Sequence, residues 1–217
     1  MSSIIIINRS LNVEQLGVID YLDAWQIQKD IQKKVISGKS PNTLLLLEHP
    51  SVYTAGRRTQ PSDRPVNGTP VIDVDRGGKI TWHGIGQIVG YPIIRLKNGT
   101  DVVGFVRELE NSLIEICKEF GVVAQRYCEG SGVWIRDIKG DRKIAAIGLR
   151  VVQGVTMHGF ALNVNPDLSA FAQIVPCGIA DANVTSLSVE LNRPIHVAEV
   201  MPIVQKHISP MLERVSK

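Results

Sequence analysis

Residues 43–47, Thr-Leu-Leu-Leu-Leu, form a short continuous apolar run that stops at Glu48-His49-Pro50. A run of this length without polar alternation reads as a central β-strand buried on both faces. Such a strand requires a sheet with covering layers on either side, and the rest of the sequence supplies candidates. Residues 4–7 read as a first strand. A helical pattern follows over 13–36, with Leu16, Ile19, Ile27, Ile31 and Val35 on one face and Ser37-Gly38 as its stop. Residues 51–70 read as a polar, proline-containing loop. Residues 71–74, 80–82 and 87–94 read as strands between glycine turns. Asp101 caps a second helix whose apolar face is Val102, Val103, Val106, Leu109, Leu113 and Ile116.

The second half is richer in strand patterns. Residues 133–136, 143–152 and 156–164 read as strands, the last two joined into a hairpin through Gln153-Gly154. A short helix follows Asn165-Pro166-Asp167, and a last helix covers 197–215. Strands and helices alternate irregularly, which favours an α/β (α+β) fold with a mixed, antiparallel-rich sheet packed with helices over a doubly wound parallel one. No repeat or linker divides the chain, so a single domain over 1–217 is expected.

Composition narrows the function. With 44% hydrophobic residues a full core is within reach. The net charge of +3 comes from 24 basic and 21 acidic residues without a run of five like charges, and aromatics make up only 5%. Tracking a nucleic acid requires a dense basic patch and stacking rings, so no nucleic-acid ligand is expected. Three widely spaced cysteines, Cys117, Cys128 and Cys177, suggest neither a disulfide framework nor a zinc site, and point to a reducing compartment. The N-terminal apolar stretch is four residues long and lacks a basic region, unlike a signal peptide. No apolar run approaches the ~20 residues that span a bilayer. The expectation is a cytoplasmic protein without a membrane partner.

The glycine-dense segment Arg76-Gly77-Gly78-Lys79-Ile80-Thr81-Trp82-His83-Gly84-Ile85-Gly86-Gln87 invites two phosphate readings, and both fail. A P-loop needs a second glycine five positions before Gly78, where Asp73 stands, and a Ser or Thr after Lys79, where Ile80 stands. A dinucleotide turn needs a helix after it, whereas Gly84-x-Gly86 leads into a strand. What remains is closely approaching backbone with Arg76 and His83 projecting from it, suited either to a ligand laid against the main chain or to a tight turn with both side chains satisfied locally.

Cys177 lies in Val175-Pro176-Cys177-Gly178-Ile179, where proline and glycine allow a sharp turn with N–H groups around the sulfur. It is either a nucleophile or a core cysteine beside a turn. Lys143 opens the apolar strand Ile144-Ala145-Ala146-Ile147-Gly148-Leu149, where small residues leave room for a partly desolvated ammonium. A protonated lysine beside a thiol favours the thiolate, whereas a strand-edge lysine simply reaches water. Cys117 falls on the apolar stripe of the second helix and reads as core, and Cys128 has no evident partner. His158 either lines a pocket or is a satisfied structural histidine.

Four blocks carry a family resemblance: Arg76-Gly77-Gly78-x-x-Thr81-x-His83-Gly84-x-Gly86-Gln87 with Gly90-Tyr91-Pro92-Ile93; Lys143-Ile144-Ala145-Ala146-Ile147-Gly148; His158-Gly159-Phe160-Ala161-Leu162-Asn163; and Pro176-Cys177-Gly178-Ile179. In this order and separation the chain resembles the lipoyl(octanoyl) transferases of lipoate biosynthesis. The resemblance implies a fold like the catalytic domains of biotin and lipoate-protein ligases. It implies transfer of an octanoyl group from octanoyl-acyl carrier protein to the lysine of a lipoyl domain, in a 2-oxo acid dehydrogenase or the glycine cleavage H protein. Cys177 is then the acyl-thioester nucleophile and Lys143 the residue that tunes it. Substrate contacts come from Arg76, Gly77, Gly78, Lys79, Ile80, Thr81, Trp82 and His83, from Ala146, Ile147 and Gly148, and from Gly159, Phe160 and Ala161. No metal or cofactor is implied, since an acyl thioester needs no ATP. Arg57, Arg58 and Arg64 are candidates to meet an acidic carrier. The alternatives are an ATP-dependent lipoate-protein ligase, a lipoyl amidotransferase, and a non-catalytic module that binds an acylated carrier.

Overall fold

The computed structural model describes residues 11–65, 68–127, 130–174 and 183–217. The elements are β1 (Asn12–Val18), α1 (Tyr21–Ile36), β2 (Thr43–Glu48), β3 (Val52–Ala55), β4 (Val71–Asp73), β5 (Ile80–His83), β6 (Gln87–Ile93) and α2 (Val102–Glu119). They continue as β7 (Gln125–Tyr127), β8 (Gly130–Asp137), β9 (Gly140–Val152), β10 (Val155–Asn163), β11 (Asn183–Val184), α3 (Leu187–Leu191) and α4 (Val197–Val215). The main sheet has the order β1-β2-β6-β10-β9-β8-β7, with β11 beside β9, and a small sheet has the order β4-β3-β5. Pairing in the main sheet is antiparallel except for β1 with β2 and β11 with β9. This is the mixed, antiparallel-rich sheet that the sequence implies.

The apolar run in β2 explains the layering. Leu44 and Leu46 enter one hydrophobic core, Leu45 and Leu47 the other, and all four are buried. The first core is closed by Phe105, Leu109 and Leu113 of α2 and by Val200, Val204 and Ile208 of α4. The second is closed by Ala24 and Val35 of α1, with Ile27 and Ile31 packed against them. Alternate side chains of one strand thus serve both cores, as period-two geometry requires. Asp101 caps α2 by accepting from the Gly104 N–H at 2.8 Å. The hairpin between β9 and β10 turns at Gln153 and Gly154, both with positive φ (50° and 75°), which matches strand twist in a two-residue turn.

Three expectations need correction. The helix read over 13–36 is a strand followed by a helix: β1 pairs with β2, Gly17 takes φ +63°, and Asp20 starts α1 by accepting from the Leu22 N–H at 2.8 Å. Val13, Leu16 and Ile19 have helical spacing, but edge pairing and a left-handed glycine override it. The loop read over 51–70 contains β3, the centre of the small sheet. Val103 is exposed and does not belong to the buried face of α2. The strand expected at 4–7 lies outside the described residues.

Candidate active site

A cavity of about 190 Å³ opens where the small sheet and the glycine-rich loop meet β6, β9 and β10. Its lining includes Arg76, Gly78, Lys79, Ile80, Thr81 and His83 from the glycine-dense segment. Lys143, Ala146, Ile147 and Gly148 come from β9, and Gly159, Phe160 and Ala161 from β10. Three blocks distant in sequence therefore converge on one volume. Gly77 and Trp82 are not among the lining residues. The Gly77 N–H donates to the Leu149 carbonyl at 2.9 Å, tying the loop to β9. Trp82 packs edge-on against Phe171 and donates from Nε1 to Ser51 Oγ at 3.0 Å. Cys177 and Cys128 lie outside the described residues.

Lys143 reaches the cavity because β9 is irregular. Val133 pairs with Ala145 and Trp134 with Lys143, which leaves Ile144 unpaired in a bulge. Ile144 and Ala145 consequently both enter the same core, although they are sequence neighbours. A one-residue bulge moves everything beyond it to the opposite face. Lys143 thereby shares the cavity with Ala146 and Gly148. It is 6% exposed, its Nζ donates to the Ser131 carbonyl at 3.3 Å, and it sits 4.5 Å from the ring centre of Trp134, a favourable cation–π position.

Arg76 is buried and serves as a clamp. Nη1 donates to the carbonyls of Lys79 (2.8 Å) and Gly77 (3.1 Å), and Nη2 to the carbonyl (2.8 Å) and Oγ1 (3.0 Å) of Thr54 on β3. The guanidinium supplies the donors that the loop carbonyls need and fixes the cavity wall.

His83 belongs to a polar chain whose direction can be derived. The Thr185 carbonyl can only accept, so Asn163 donates to it from Nδ2 at 2.9 Å. Asn163 Oδ1 then accepts from Gln87 Nε2 at 2.8 Å, and Gln87 Oε1 accepts the His83 Nδ1–H at 2.6 Å. The His83 Nε2 is left as an unprotonated acceptor. Burial, followed by the charge of neighbouring His49, pushes the His83 pKa down to about 3, so the ring is neutral at physiological pH. His49 donates from Nδ1 to the Ile19 carbonyl at 2.7 Å and accepts from the Tyr91 hydroxyl at 2.8 Å. Burial also lowers its pKa.

His158 lines the cavity, and the reading of it as a satisfied structural histidine holds only in part: one ring nitrogen is bonded, while the buried Nδ1 has no hydrogen-bond partner. Its Nε2–H donates to Asp75 Oδ1 at 2.7 Å and its backbone N–H donates to Gln28 Oε1 at 2.9 Å. Burial, then Arg76 and other nearby cations, lowers its pKa to about 3. The contact with Asp75 is therefore a hydrogen bond to a neutral ring, and the charge partner of Asp75 is Arg150. Cys117 is fully buried in the core, and burial pushes its thiol up to about 12.

Sequence reasoning missed Tyr21, Tyr91, Val89, Gly130 and Ser131 as lining residues. Tyr21 stacks on His83 at 6.0 Å from the first turn of α1, a position hidden by misplacing the start of that helix. The Gly-Ser-Gly sequence at 130–132 was the available signal for Ser131. Arg58 lines the cavity, whereas Arg64 pairs with Asp73. Among the described residues no helix is long and apolar enough to cross a membrane.

Comparison with known proteins matches this chain, over residues 20–209, to the family model described as the lipoyl protein ligase A/B catalytic domain. An "Octanoyltransferase" of Salinispora tropica is 55% identical over 205 residues, covering 94% of this chain and 96% of that protein. Among solved structures, a bipartite lipoate protein ligase of Thermoplasma acidophilum superposes with a TM-score of 0.72 at 15% identity, covering 94% of this chain and 84% of that one. A biotin protein ligase of Aquifex aeolicus superposes with a TM-score of 0.56 at 16% identity, covering 94% and 71% respectively. At such identities the superpositions establish a shared fold.

Proposed function

The chain belongs to the lipoyl protein ligase A/B catalytic domain family, and from that membership we propose how it works as an octanoyl-transferring acyltransferase of protein lipoylation. Octanoyl-acyl carrier protein is the donor, and the acceptor is a lipoyl-domain lysine of a 2-oxo acid dehydrogenase or the glycine cleavage H protein. The chain acts as one catalytic domain in the cytoplasm. The observation that carries this reading is the buried ammonium of Lys143, delivered by the β9 bulge into a cavity walled by Ala146, Ile147, Phe160 and Ala161.

In the first half-reaction Cys177, whose proton Lys143 already holds as the ammonium, attacks the thioester carbonyl through its thiolate sulfur. The carrier's thiolate leaves and takes that proton. In the second, the amine of the lipoyl-domain lysine attacks the acyl-cysteine, and Lys143 relays the amine proton as Cys177 departs. Thioester-to-thioester exchange is nearly isoenergetic and thioester to amide runs downhill, so neither step calls for ATP. A backbone N–H of Cys177 or Gly178 is the candidate donor to the oxyanion. An eight-carbon chain offers about 5 kcal/mol of burial, at about 0.8 kcal/mol per methylene, enough to hold it during partner exchange.

The ATP-dependent ligase is the competing reading. Relatives 55%, 56% and 58% identical to this chain are named octanoyltransferases, whereas the lipoate-protein ligases of known structure are similar to it at 15% and 12% identity. The discriminating experiment supplies octanoyl-acyl carrier protein and a lipoyl domain without ATP. Octanoyl-lysine forming with wild type and not with Cys177→Ala supports the transferase. Activity that survives Cys177→Ala and requires ATP and free acid supports the ligase.

A further inference from the structure

The peptide between Ser131 and Gly132 is gripped from both sides. Its carbonyl accepts from Lys143 Nζ at 3.3 Å. Its N–H donates to Glu110 Oε1 at 3.0 Å. Glu110 lies on α2 and is fully buried, between Leu109 and Leu113 in the helix stripe. Its other oxygen, Oε2, faces Arg107 Nη1 at 2.7 Å and Arg126 Nε at 3.2 Å. Arg126 is held in turn by the Arg107 carbonyl at 2.9 Å.

A trans peptide is planar, with N–H and C=O pointing in opposite directions. A carboxylate at the N–H and an ammonium at the C=O polarise that amide in the same sense, so each hydrogen bond strengthens the other. The backbone there admits only glycine: Gly132 has φ +120°, and a Cβ on it would lie 2.5 Å from the Ala145 carbonyl oxygen and 3.3 Å from Lys143 Cε. An apolar side chain at 110 would fill the same space in the core. It would not hold the Gly132 N–H, and it would leave two guanidinium groups without their shared anion.

We propose that Glu110 is a positioning residue for Lys143, holding and polarising the Ser131–Gly132 peptide so that its carbonyl fixes the ammonium in the cavity. The proposal rests on the reading of Lys143 as the proton carrier for Cys177 and extends it across the sheet to α2. Arg107 and Arg126 orient the carboxylate through its Oε2. The cavity's other titratable side chains, Arg58, Arg76, Lys79, His83, His158, Tyr21 and Tyr91, form a background that substitution of Glu110 leaves in place.

The test measures the rate of iodoacetamide alkylation at Cys177 against pH, by mass of the Cys177 peptide, in wild type, Lys143→Ala, Glu110→Gln and Glu110→Ala. Each is assayed below its own melting transition. Lys143→Ala is expected to raise the alkylation midpoint. Glu110→Ala is expected to raise it by half a pH unit or more, about threefold less thiolate at pH 7. Glu110→Gln, which keeps an oxygen for the N–H and loses the charge, is expected to raise it by less. A purely structural Glu110 would lower the melting temperature and leave the midpoint where it is. If Lys143→Ala shifts the midpoint and neither Glu110 variant does, the positioning role is overturned while the reading of Lys143 stands. If Lys143→Ala leaves it unchanged, both are overturned. Should Glu110→Ala fail to fold, the isosteric Glu110→Gln decides alone, and an unchanged midpoint contradicts the proposal.

Discussion

Gln87 accepts the Nδ1–H of His83 at 2.6 Å, and because Gln87 itself donates to Asn163, the imidazole is fixed as the tautomer with an open Nε2. Burial, followed by the charge of neighbouring His49, makes this ring resist protonation, against the Gln87 hydrogen bond, which favours it. Its pKa falls from 6.5 to about 3, as does that of His158, and His49 is lowered too.

These histidines make stability depend on pH. Below pH 6.5 the unfolded chain binds protons that the folded one refuses, so stability is fully present above 6.5 and is lost as the pH falls toward the folded values. Denaturant unfolding between pH 6.5 and 4.5 should show a loss of up to about 1.4 kcal/mol per pH unit for each of His83 and His158. His83→Asn should reduce that slope. An identical slope in the variant would contradict the assignment.

If Lys143 carries the proton, replacing it by Ala should slow both half-reactions, by about 10²–10⁴-fold, the usual contribution of a positioned acid–base group. Single-turnover measurements with acyl carrier protein, and separately with preformed acyl-enzyme and lipoyl domain, would report each half. Acylation at the wild-type rate in Lys143→Ala would remove it from the mechanism.

If the cavity holds the acyl chain, narrowing it should change chain-length preference. Ala146→Leu adds three carbons at a lining position and should favour donors shorter than octanoyl, by about 10–200-fold per methylene of misfit. The ratio of kcat/KM for hexanoyl and octanoyl donors is the readout. An unchanged ratio would mean that the chain lies elsewhere.

Arg57 and Arg58 are exposed beside the cavity loop, and their N–H groups bond to the carbonyls of Arg76 (3.1 Å) and Gly78 (3.0 Å). Their side chains are available to an acidic carrier protein, whereas Arg64 is engaged by Asp73. Neutralising Arg57 and Arg58 should flatten the salt dependence of turnover. Equal salt slopes before and after would place the docking surface elsewhere.

The parts of this structure that were legible in the sequence are those set by local periodicity and chemistry. Continuous burial marked β2, the Asp101 cap and apolar spacing marked α2, and α4 covers Val197–Val215 as read. Glycine density and small residues marked the walls of the cavity. What stayed hidden depends on pairing between distant segments. The bulge at Ile144 that turns Lys143 inward exists only because β9 pairs with β8, and β1 became a strand only because β2 offers it an edge. The same holds for Glu110, which in sequence is one polar residue in a helical stripe and in space reaches a peptide 22 positions away. The chain from His83 through Gln87 and Asn163 spans β5, β6 and β10 and has no signature in any one of them.

If the acyl group passes through a thioester on Cys177, its mass stays on the protein, so the direct measurement is the intact mass after incubation with octanoyl-acyl carrier protein in the absence of ATP. The expected result is an increment of one octanoyl group, released by neutral hydroxylamine and absent in Cys177→Ala. No increment, with a lipoyl domain becoming acylated only when ATP and free octanoate are supplied, would contradict it.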